Sequence, residues 1–397
     1  MSFNLNNEKI VDIECGFNHT LALTDAGHVY TWGYNNNDDM SNLNTTNHST
    51  LIQVMGGLKG CHVTSIACGY NSLAVTDTGS VFLWVLVSHD NGHGELGLSD
   101  TTGRSLPVQY FKDMKVAKVS AGTGDKSNRN DLFKVNIVDH GPIVDVVSHM
   151  NSNISAAVTA NGVLYLWGEC REPIGDLLTP IAKSVIKISS GWKHLCALTS
   201  SGDVYVWGDN SISQLGNGNT TSSPIPLKMS FNLNNEKIVD IECGLHNTLA
   251  LTDAGHVYAW GYNNKSQLGN GNTINQSTPI QVMGVLNGCR VTSIACGRYH
   301  SLAVTDTGSV FGWGYNGNGE LGLSTTTDQS LPVQIQYFKD MKVVKVCAGM
   351  YHTIILLSDG SVCTFGFNNH GQLGTGDKTT KSDPFKVNIN HHGPIVS

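Results

Sequence analysis

A five-residue pattern recurs along this chain and limits what it can fold into: an apolar residue, an aromatic, a variable residue, Trp, Gly. It stands as Val204-Tyr205-Val206-Trp207-Gly208, Val257-Tyr258-Ala259-Trp260-Gly261, Val310-Phe311-Gly312-Trp313-Gly314 and, with Phe for Trp, Val362-Cys363-Thr364-Phe365-Gly366. Earlier copies are Val29-Tyr30-Thr31-Trp32-Gly33, Val81-Phe82-Leu83-Trp84-Val85 and Leu164-Tyr165-Leu166-Trp167-Gly168. A chain with seven such copies is an array of units, none of which can bury its apolar surface alone. Trp207, Trp260 and Trp313 are 53 residues apart, too long for a leucine-rich or tetratricopeptide repeat and long enough for four short strands with loops.

The fullest unit begins with Val291-Thr292-Ser293-Ile294-Ala295-Cys296-Gly297 and continues with Arg298-Tyr299-His300-Ser301-Leu302-Ala303-Val304. A turn, Thr305-Asp306-Thr307-Gly308-Ser309, leads into the aromatic strand, and Asn316-Gly317-Asn318-Gly319-Glu320-Leu321-Gly322 leads to a last apolar stretch, Leu331-Pro332-Val333. Asp-x-Gly is a hairpin connection. Strands apolar at successive positions are buried on both faces, which radial stacking of the units around an axis provides. A linear solenoid is the alternative, and it would leave two apolar ends without caps.

Cys-Gly, His-Ser/Thr, Leu-Ala-Leu/Val, Asp-x-Gly, aromatic-x-Trp-Gly and Gly371-Gln372-Leu373-Gly374 together resemble the regulator of chromosome condensation repeat, over nearly the whole chain. The resemblance implies an all-β, seven-bladed β-propeller of four-stranded antiparallel blades, its ring closed by the N- and C-terminal strands. Repeats are expected near 9–60, 61–114, 143–184, 185–237, 238–288, 289–341 and 342–397, with a degenerate one at 115–142.

The N-terminal stretch Met1-Ser2-Phe3-Asn4-Leu5-Asn6-Asn7-Glu8-Lys9-Ile10 returns as Met229 to Ile238, and the offset of 228 holds to Gly69/Gly297. The C-terminal copy is intact. The N-terminal copy loses one residue where Gly69-Tyr70-Asn71-Ser72 faces Gly297-Arg298-Tyr299-His300-Ser301, gains residues near Val85 to Asp90, and after Gly122 omits the 25 residues that match Met350 to Gly374. Regular blades are therefore expected from about 185 onward and irregular ones between 100 and 190. The irregular sector reads either as drift after duplication or as an insertion that contacts a partner. The N-terminal strand is expected to complete the last blade.

Charged residues make up 14% of the 397 and the formal net charge is −7, with no run of Lys or Arg. Nucleic-acid binding relies on clustered positive charge, so no nucleic-acid partner is expected. No segment reaches the roughly 20 apolar residues of a membrane span, Met1-Ser2-Phe3-Asn4 does not read as a secretory signal, and Pro394-Ile395-Val396-Ser397 is no prenylation box. Of ten Cys, Cys15, Cys68, Cys243, Cys296 and Cys347 share one place before a Gly, and Cys196 sits on the following strand of its repeat. These read as small buried thiols, hence a reducing compartment, cytoplasmic or nuclear. Cys61 and Cys68, repeated at Cys289 and Cys296, are too far apart for a metal clip. No metal and no cofactor are expected.

Gly92-His93-Gly94-Glu95-Leu96-Gly97 and the run Gly317 to Gly322 satisfy G-x-G-x-x-G, but no helical period follows, as a dinucleotide site requires. His19, His194, His300 and His352 recur before the Leu-Ala strand and read as loop-fixing side chains. Asp25, Asp77, Asp253, Asp306 and Asp359 read as turn residues. The informative variation lies in the two residues between the repeated Gly and the His position. In a propeller these loops open on one face around the axis. Phe17, Tyr70, Trp192, Lys193, Leu245, Arg298, Tyr299, Met350 and Tyr351 are therefore the candidate partner-binding residues, of types enriched in binding hot spots. The competing reading packs the aromatics against neighbouring blades.

A monomeric protein-interaction propeller, without covalent chemistry, is the expected function. The resemblance implies a guanine-nucleotide exchange factor-like regulator of a small GTPase, since the best-known family member acts on the nuclear GTPase Ran. A scaffold or inhibitor that clamps a partner without exchange is the alternative; the duplication also fits a bacterial effector delivered to a host cell. An enzyme with an axial cleft is the third reading.

Overall fold

The computed structural model describes residues 5, 8–35, 46–54, 58–69, 72–77, 81–84, 108–109, 143–148, 154–159, 161–162, 164–168, 184–230, 233 and 236–387. Strands dominate, and the helical elements Gly284–Leu286 and Gln336–Phe338 are single 3-10 turns. No helix among the described residues is long and apolar enough to cross a membrane, which says nothing of a β-barrel.

The intact fifth sheet shows how each unit is made. Ile238–Cys243, Asn247–Thr252, Val257–Gly261 and Gln276–Gln281 pair in that order, all antiparallel. Between the first two comes the His loop, and between the next two the turn Asp253-Ala254-Gly255. There Gly255 N–H donates to Thr252 O and the Asp253 carboxylate accepts from Lys237 N–H. The second strand is buried along its whole length, and the fourth lies half exposed at the rim. That gradient is what successive apolar positions on the second strand require. Five more four-stranded sheets repeat it over 10–53, 63–109, 185–228, 291–334 and 343–386, and a three-stranded sheet spans 143–168. Residues 115–142, read as a degenerate repeat, lie outside the described residues.

The sheets are numbered here in chain order, first to seventh. Apolar clusters fill the seams between them. Trp260 and Ile241 of the fifth sheet pack with Cys196, Leu198 and Val206 of the fourth, and Trp313 and Ile294 of the sixth with Leu249 and Leu268 of the fifth. Among the described residues, three seams are also stitched by the Trp. Its indole N–H donates to the carbonyl of the preceding sheet's Gln-Leu-Gly turn: Trp260 to Gln214 O at 3.1 Å, Trp313 to Gln267 O at 2.9 Å. The Gly after the Trp has a structural reason. Gly261 has φ +96°, and a Cβ there would lie 2.5 Å from His246 O. The loop between third and fourth strands folds around a buried Asn: Asn263 Oδ1 accepts from Leu268 N–H, and its amide donates to Asn270, Asn272 O and Ile274 O.

The first sheet packs directly on the seventh. Ile13, Ala22, Tyr30 and Trp32 share a cluster with Ile354, Leu356 and Val362, Trp32 Nε1 donates to Gln372 O at 2.8 Å, and Lys345 bridges Asp12 at 2.6 Å and Glu14 at 2.7 Å. The N-terminal strand does not complete the last sheet, contrary to expectation. Ile10–Cys15 pairs with His19–Thr24 in its own sheet, and the seventh takes all four strands from 343–386. The seventh repeat already supplies a complete hairpin pair, so no strand position is left for the N-terminus; side chains make the junction instead. Residues 388–397 of the expected closing C-terminal strand lie outside the described residues.

The cysteine reading is corrected at the same junction. Cys15 and Cys347 form a disulfide across 332 residues, so these two are not the small buried thiols expected of them. Cys347 was grouped with four others by its nearness to Gly, but it sits one residue earlier on its strand: Cys347 pairs with Ile354 and Ala348 with Thr353, whereas Cys15 pairs with Thr20. A shift of one residue turns a strand side chain to the opposite face. Cys347 thereby points at the first sheet, where Cys15 points back. Cys68, Cys196, Cys243, Cys289, Cys296 and Cys363 are free thiols.

Candidate protein-binding face

The loop between the first and second strands is closed at its base by one hydrogen bond: Gly191 N–H to His194 O, Gly244 to Asn247 O, Gly297 to His300 O, Gly349 to His352 O, at 2.8–2.9 Å. A Cβ at position 297 would lie 2.2 Å from His300 Cε1, so the loop needs Gly there. The two residues between form the tip of the loop. The recurring histidines serve the seam. His19 Nε2 lies 2.8 Å from Ser72 Oγ, His194 Nε2 2.9 Å from Thr248 Oγ1, and His300 Nε2 3.1 Å from Thr353 Oγ1, each on the next sheet. Burial lowers the pKa of His19 to about 4 and that of His300 and His352 to about 3, so these rings stay neutral.

A second set of residues joins the loop pairs. The residue after each Trp-Gly donates its N–H to the carbonyl of the second loop residue: Tyr262 to His246 O, Tyr315 to Tyr299 O, Phe367 to Tyr351 O, Tyr34 to Asn18 O. In these four sheets that bond sets an aromatic beside the loop, whereas Asp209 takes the place in the fourth, and the rings run on from sheet to sheet. Trp192 meets His246 at 4.9 Å between centroids, His246 meets Tyr262 at 6.0 Å, and Tyr262 meets Tyr299 at 6.0 Å. Tyr299 meets Tyr351 at 6.5 Å, Tyr351 meets Phe367 at 6.2 Å, Phe367 meets His370 at 6.0 Å, and His370 meets Tyr34 at 4.9 Å. The arc spans the fourth, fifth, sixth, seventh and first sheets.

Three cations lie on it. Arg298 sits over Tyr299 at 4.9 Å and over Tyr351 at 5.2 Å, with Nη1 3.5 Å from Met350 Sδ. Lys193 lies over Trp192 at 5.4 Å and Lys265 over Tyr315 at 5.3 Å. Stacking holds each charge at a ring face without neutralising it. His246 adds none: burial first, then the nearby His194, Arg298 and Lys193, lower its pKa to about 4 despite Asp209. The arrangement is a half-buried apolar band carrying fixed positive charge, suited to an acidic protein surface and offering no nucleophile–base pair.

Of the sequence candidates, Trp192, Lys193, Arg298, Tyr299, Met350 and Tyr351 come together on this arc. Leu245 does not; it is buried, and its carbonyl accepts from Trp192 N–H at 2.9 Å. Phe17 is half buried, its N–H on Gly69 O at 2.9 Å. Tyr70 lies outside the described residues. Tyr34, Tyr262, Lys265, Tyr315, Phe367 and His370 were not singled out from the sequence, although an aromatic right after Trp-Gly or Phe-Gly in four repeats was a readable signal. One group among the described residues could hold a metal ion, His194 with Cys196 and Cys243, in the seam beneath this face.

The RCC1-like domain matches residues 124–397, and the Regulator of chromosome condensation (RCC1) repeat matches 10–38. The ultraviolet-B receptor UVR8 of Arabidopsis thaliana is 31% identical over 348 residues, which cover 84% of this chain and 71% of that protein. The human E3 ubiquitin-protein ligase HERC2 is 29% identical over 84% of this chain, which spans only 8% of that protein. Among solved structures, Prp20p of Saccharomyces cerevisiae, described with its binding properties to Gsp1p and histones, superposes with a TM-score of 0.70 at 18% identity, over 96% of this chain and 88% of that one. At that identity the likeness is one of fold.

Proposed function

This chain belongs to the RCC1-like domain family, and we propose that it is a protein-binding propeller whose aromatic arc, with Arg298 at its centre, grips an acidic face of a partner protein. The observation that carries the reading is Arg298 held between Tyr299 and Tyr351 on a band of rings shared by five sheets. Aromatics and Arg supply most binding energy where they cluster centrally. Seven blades, following the repeat boundaries and closed into a ring by the junction of the first sheet with the seventh, would set that band around an axis. The chain would act as a monomer, in the nucleus or cytoplasm, on a protein and not on nucleic acid.

The finer reading is an exchange factor-like regulator of a small GTPase of the Ran type. Its support is the family itself and a solved relative described with its binding to Gsp1p. Such a regulator stabilises one state of its partner and forms no covalent bond. A clamp without exchange activity uses the same face. Capture of partners on the immobilised full chain, followed by release of fluorescent GDP from a panel of Ran, Rab and Rho GTPases, separates the two. Arg298→Ala with Tyr299→Ala and Tyr351→Ala is expected to weaken partner binding at least about 100-fold, at roughly 1–2 kcal/mol per anchor. Unchanged binding by that triple variant would sink the face. Binding without accelerated release leaves the clamp.

A further inference from the structure

The seam between the fourth and fifth sheets holds donors that no other seam combines among the described residues. His194 and Cys196 lie two apart on the strand His194–Thr199, so both leave the same face. Cys243 ends the strand Ile238–Cys243 of the next sheet and shares a buried cluster with Cys196. One nitrogen of His194 and the two sulfurs lie within 4.8 Å of one another, and all three residues are buried. Cys196 also departs from its repeat. At the same register the first, fifth, sixth and seventh sheets carry Leu21, Leu249, Leu302 and Ile354, and the third carries Ala156; none of these offers a donor. An aliphatic there fills the seam; a Cys gives up that volume and places a second sulfur opposite Cys243.

We propose that His194, Cys196 and Cys243 bind one zinc ion that clips the fourth sheet to the fifth. Sulfur and imidazole donors select zinc or Cu(I) among common ions. Two thiolates with a neutral imidazole cancel the charge of Zn²⁺, so a buried site needs no further counter-ion; with Cu(I) one negative charge would stay buried. Zinc bonds of about 2.3 Å to sulfur and about 2.0 Å to nitrogen draw the donors together by up to about 1 Å. Oxygen is at hand for the remaining position: Thr248 Oγ1 lies 2.9 Å from His194 Nε2, and Ser189 O lies 3.5 Å from Cys243 Sγ. Binding releases the thiol protons to solvent, and nothing is oxidised. The seam between the seventh and first sheets cannot do the same. There Cys15, the inherited counterpart of Cys243, is in a disulfide, and Ile354 stands where Cys196 would.

The test uses the full chain, prepared anaerobically, equilibrated with Zn²⁺, dialysed and analysed for metal. One zinc per chain is expected, together with a rise in the thermal midpoint on adding Zn²⁺. Cys196→Leu, which installs the residue of the other sheets, is expected to lose both while keeping its circular dichroism. Cys289→Ser, which removes a thiol outside this seam, is expected to lose neither. Wild type and Cys196→Leu holding the same zinc would overturn the site. Should Cys196→Leu fail to fold, Co²⁺ titration of the wild type decides. Thiolate-to-cobalt charge-transfer absorption with tetrahedral visible bands is expected, and its absence overturns the proposal. Retention of Cu(I) with exclusion of Zn²⁺ overturns the choice of metal.

Discussion

The seam between the fourth and fifth sheets and the seam between the seventh and first are built from one duplicated strand pair and make a natural comparison. Asp12, Glu14, Cys15, Thr20 and Trp32 at one correspond to Asp240, Glu242, Cys243, Thr248 and Trp260 at the other. The polar contacts are the same. Lys345 bridges Asp12 and Glu14, and Lys187 bridges Asp240 and Glu242 at 2.5 and 2.6 Å. Burial works against each ammonium, but the paired carboxylates outweigh it and hold both lysines above their ordinary pKa. Trp32 and Trp260 donate to Gln372 O and Gln214 O alike. The sulfur partners differ: Cys15 is bonded to Cys347, whereas Cys243 faces His194 and Cys196. A strand copied into a new place thus kept the contacts its fold requires and acquired new sulfur chemistry from whichever sheet lay in front of it.

The largest expected difference between the seams comes from the disulfide. Closing a loop of 332 residues predicts that Cys347→Ala lowers stability by about 5 kcal/mol, while in zinc-free protein Cys243→Ala at the other seam costs about 1 kcal/mol by lost packing. Urea unfolding of both variants without reductant measures this, and equal losses would erase the distinction.

The seam between the sixth and seventh sheets supplies the next effect, because Glu320 replaces the Gln found at positions 214, 267 and 372. Burial outweighs its hydrogen bonds from Asn318 and raises its pKa to about 7. The acid therefore holds its proton more tightly when folded. Relative to Gln, its stability is intact below about pH 4.5 and is lost as pH rises through 7. Glu320→Gln is expected to add about 3 kcal/mol above pH 7 and nothing near pH 4. Thermal unfolding across that range would show a flat difference if the carboxyl is not buried in solution.

Lysine truncation tests whether the two ion clusters are equivalent. Lys187→Ala and Lys345→Ala each leave two carboxylates in a half-buried seam, at about 2 kcal/mol, between the exposed and buried limits. A silent Lys345→Ala beside a costly Lys187→Ala would mean that the first and seventh sheets do not meet in solution. The smallest contrast is at the indoles. Trp32→Phe and Trp260→Phe lose matching indole bonds to Gln372 O and Gln214 O, so each should cost about 1 kcal/mol in the same unfolding assay, and unequal losses would separate the seams.

Much of this was legible in the residues. The seven copies of the aromatic strand, the Asp-x-Gly turns and the Gly–x–x–His loops are local patterns, and they appear as local structure in the sheets around Trp207, Trp260 and Trp313. Six of the nine candidate binding residues lie on one arc for the same reason, since equivalent loops of repeated sheets share a face. Leu245 is off the arc, because a loop position does not say which way its side chain turns. Tyr262 and Tyr315 were overlooked because their place next to the loop depends on a hydrogen bond between the second and third strands.

Repetition, strand order within each sheet and the loops that carry the arc were determined by the sequence itself, because turn chemistry and apolar periodicity act over a few residues. Tertiary structure alone decided which sheet stands next to which. Cys15 meets Cys347, and Lys345 meets Asp12, because the first sheet packs on the seventh, more than 300 residues away in the chain. A one-residue offset on a strand, invisible in a comparison of repeats, chose the face from which Cys347 reaches across, since successive strand side chains point to opposite sides.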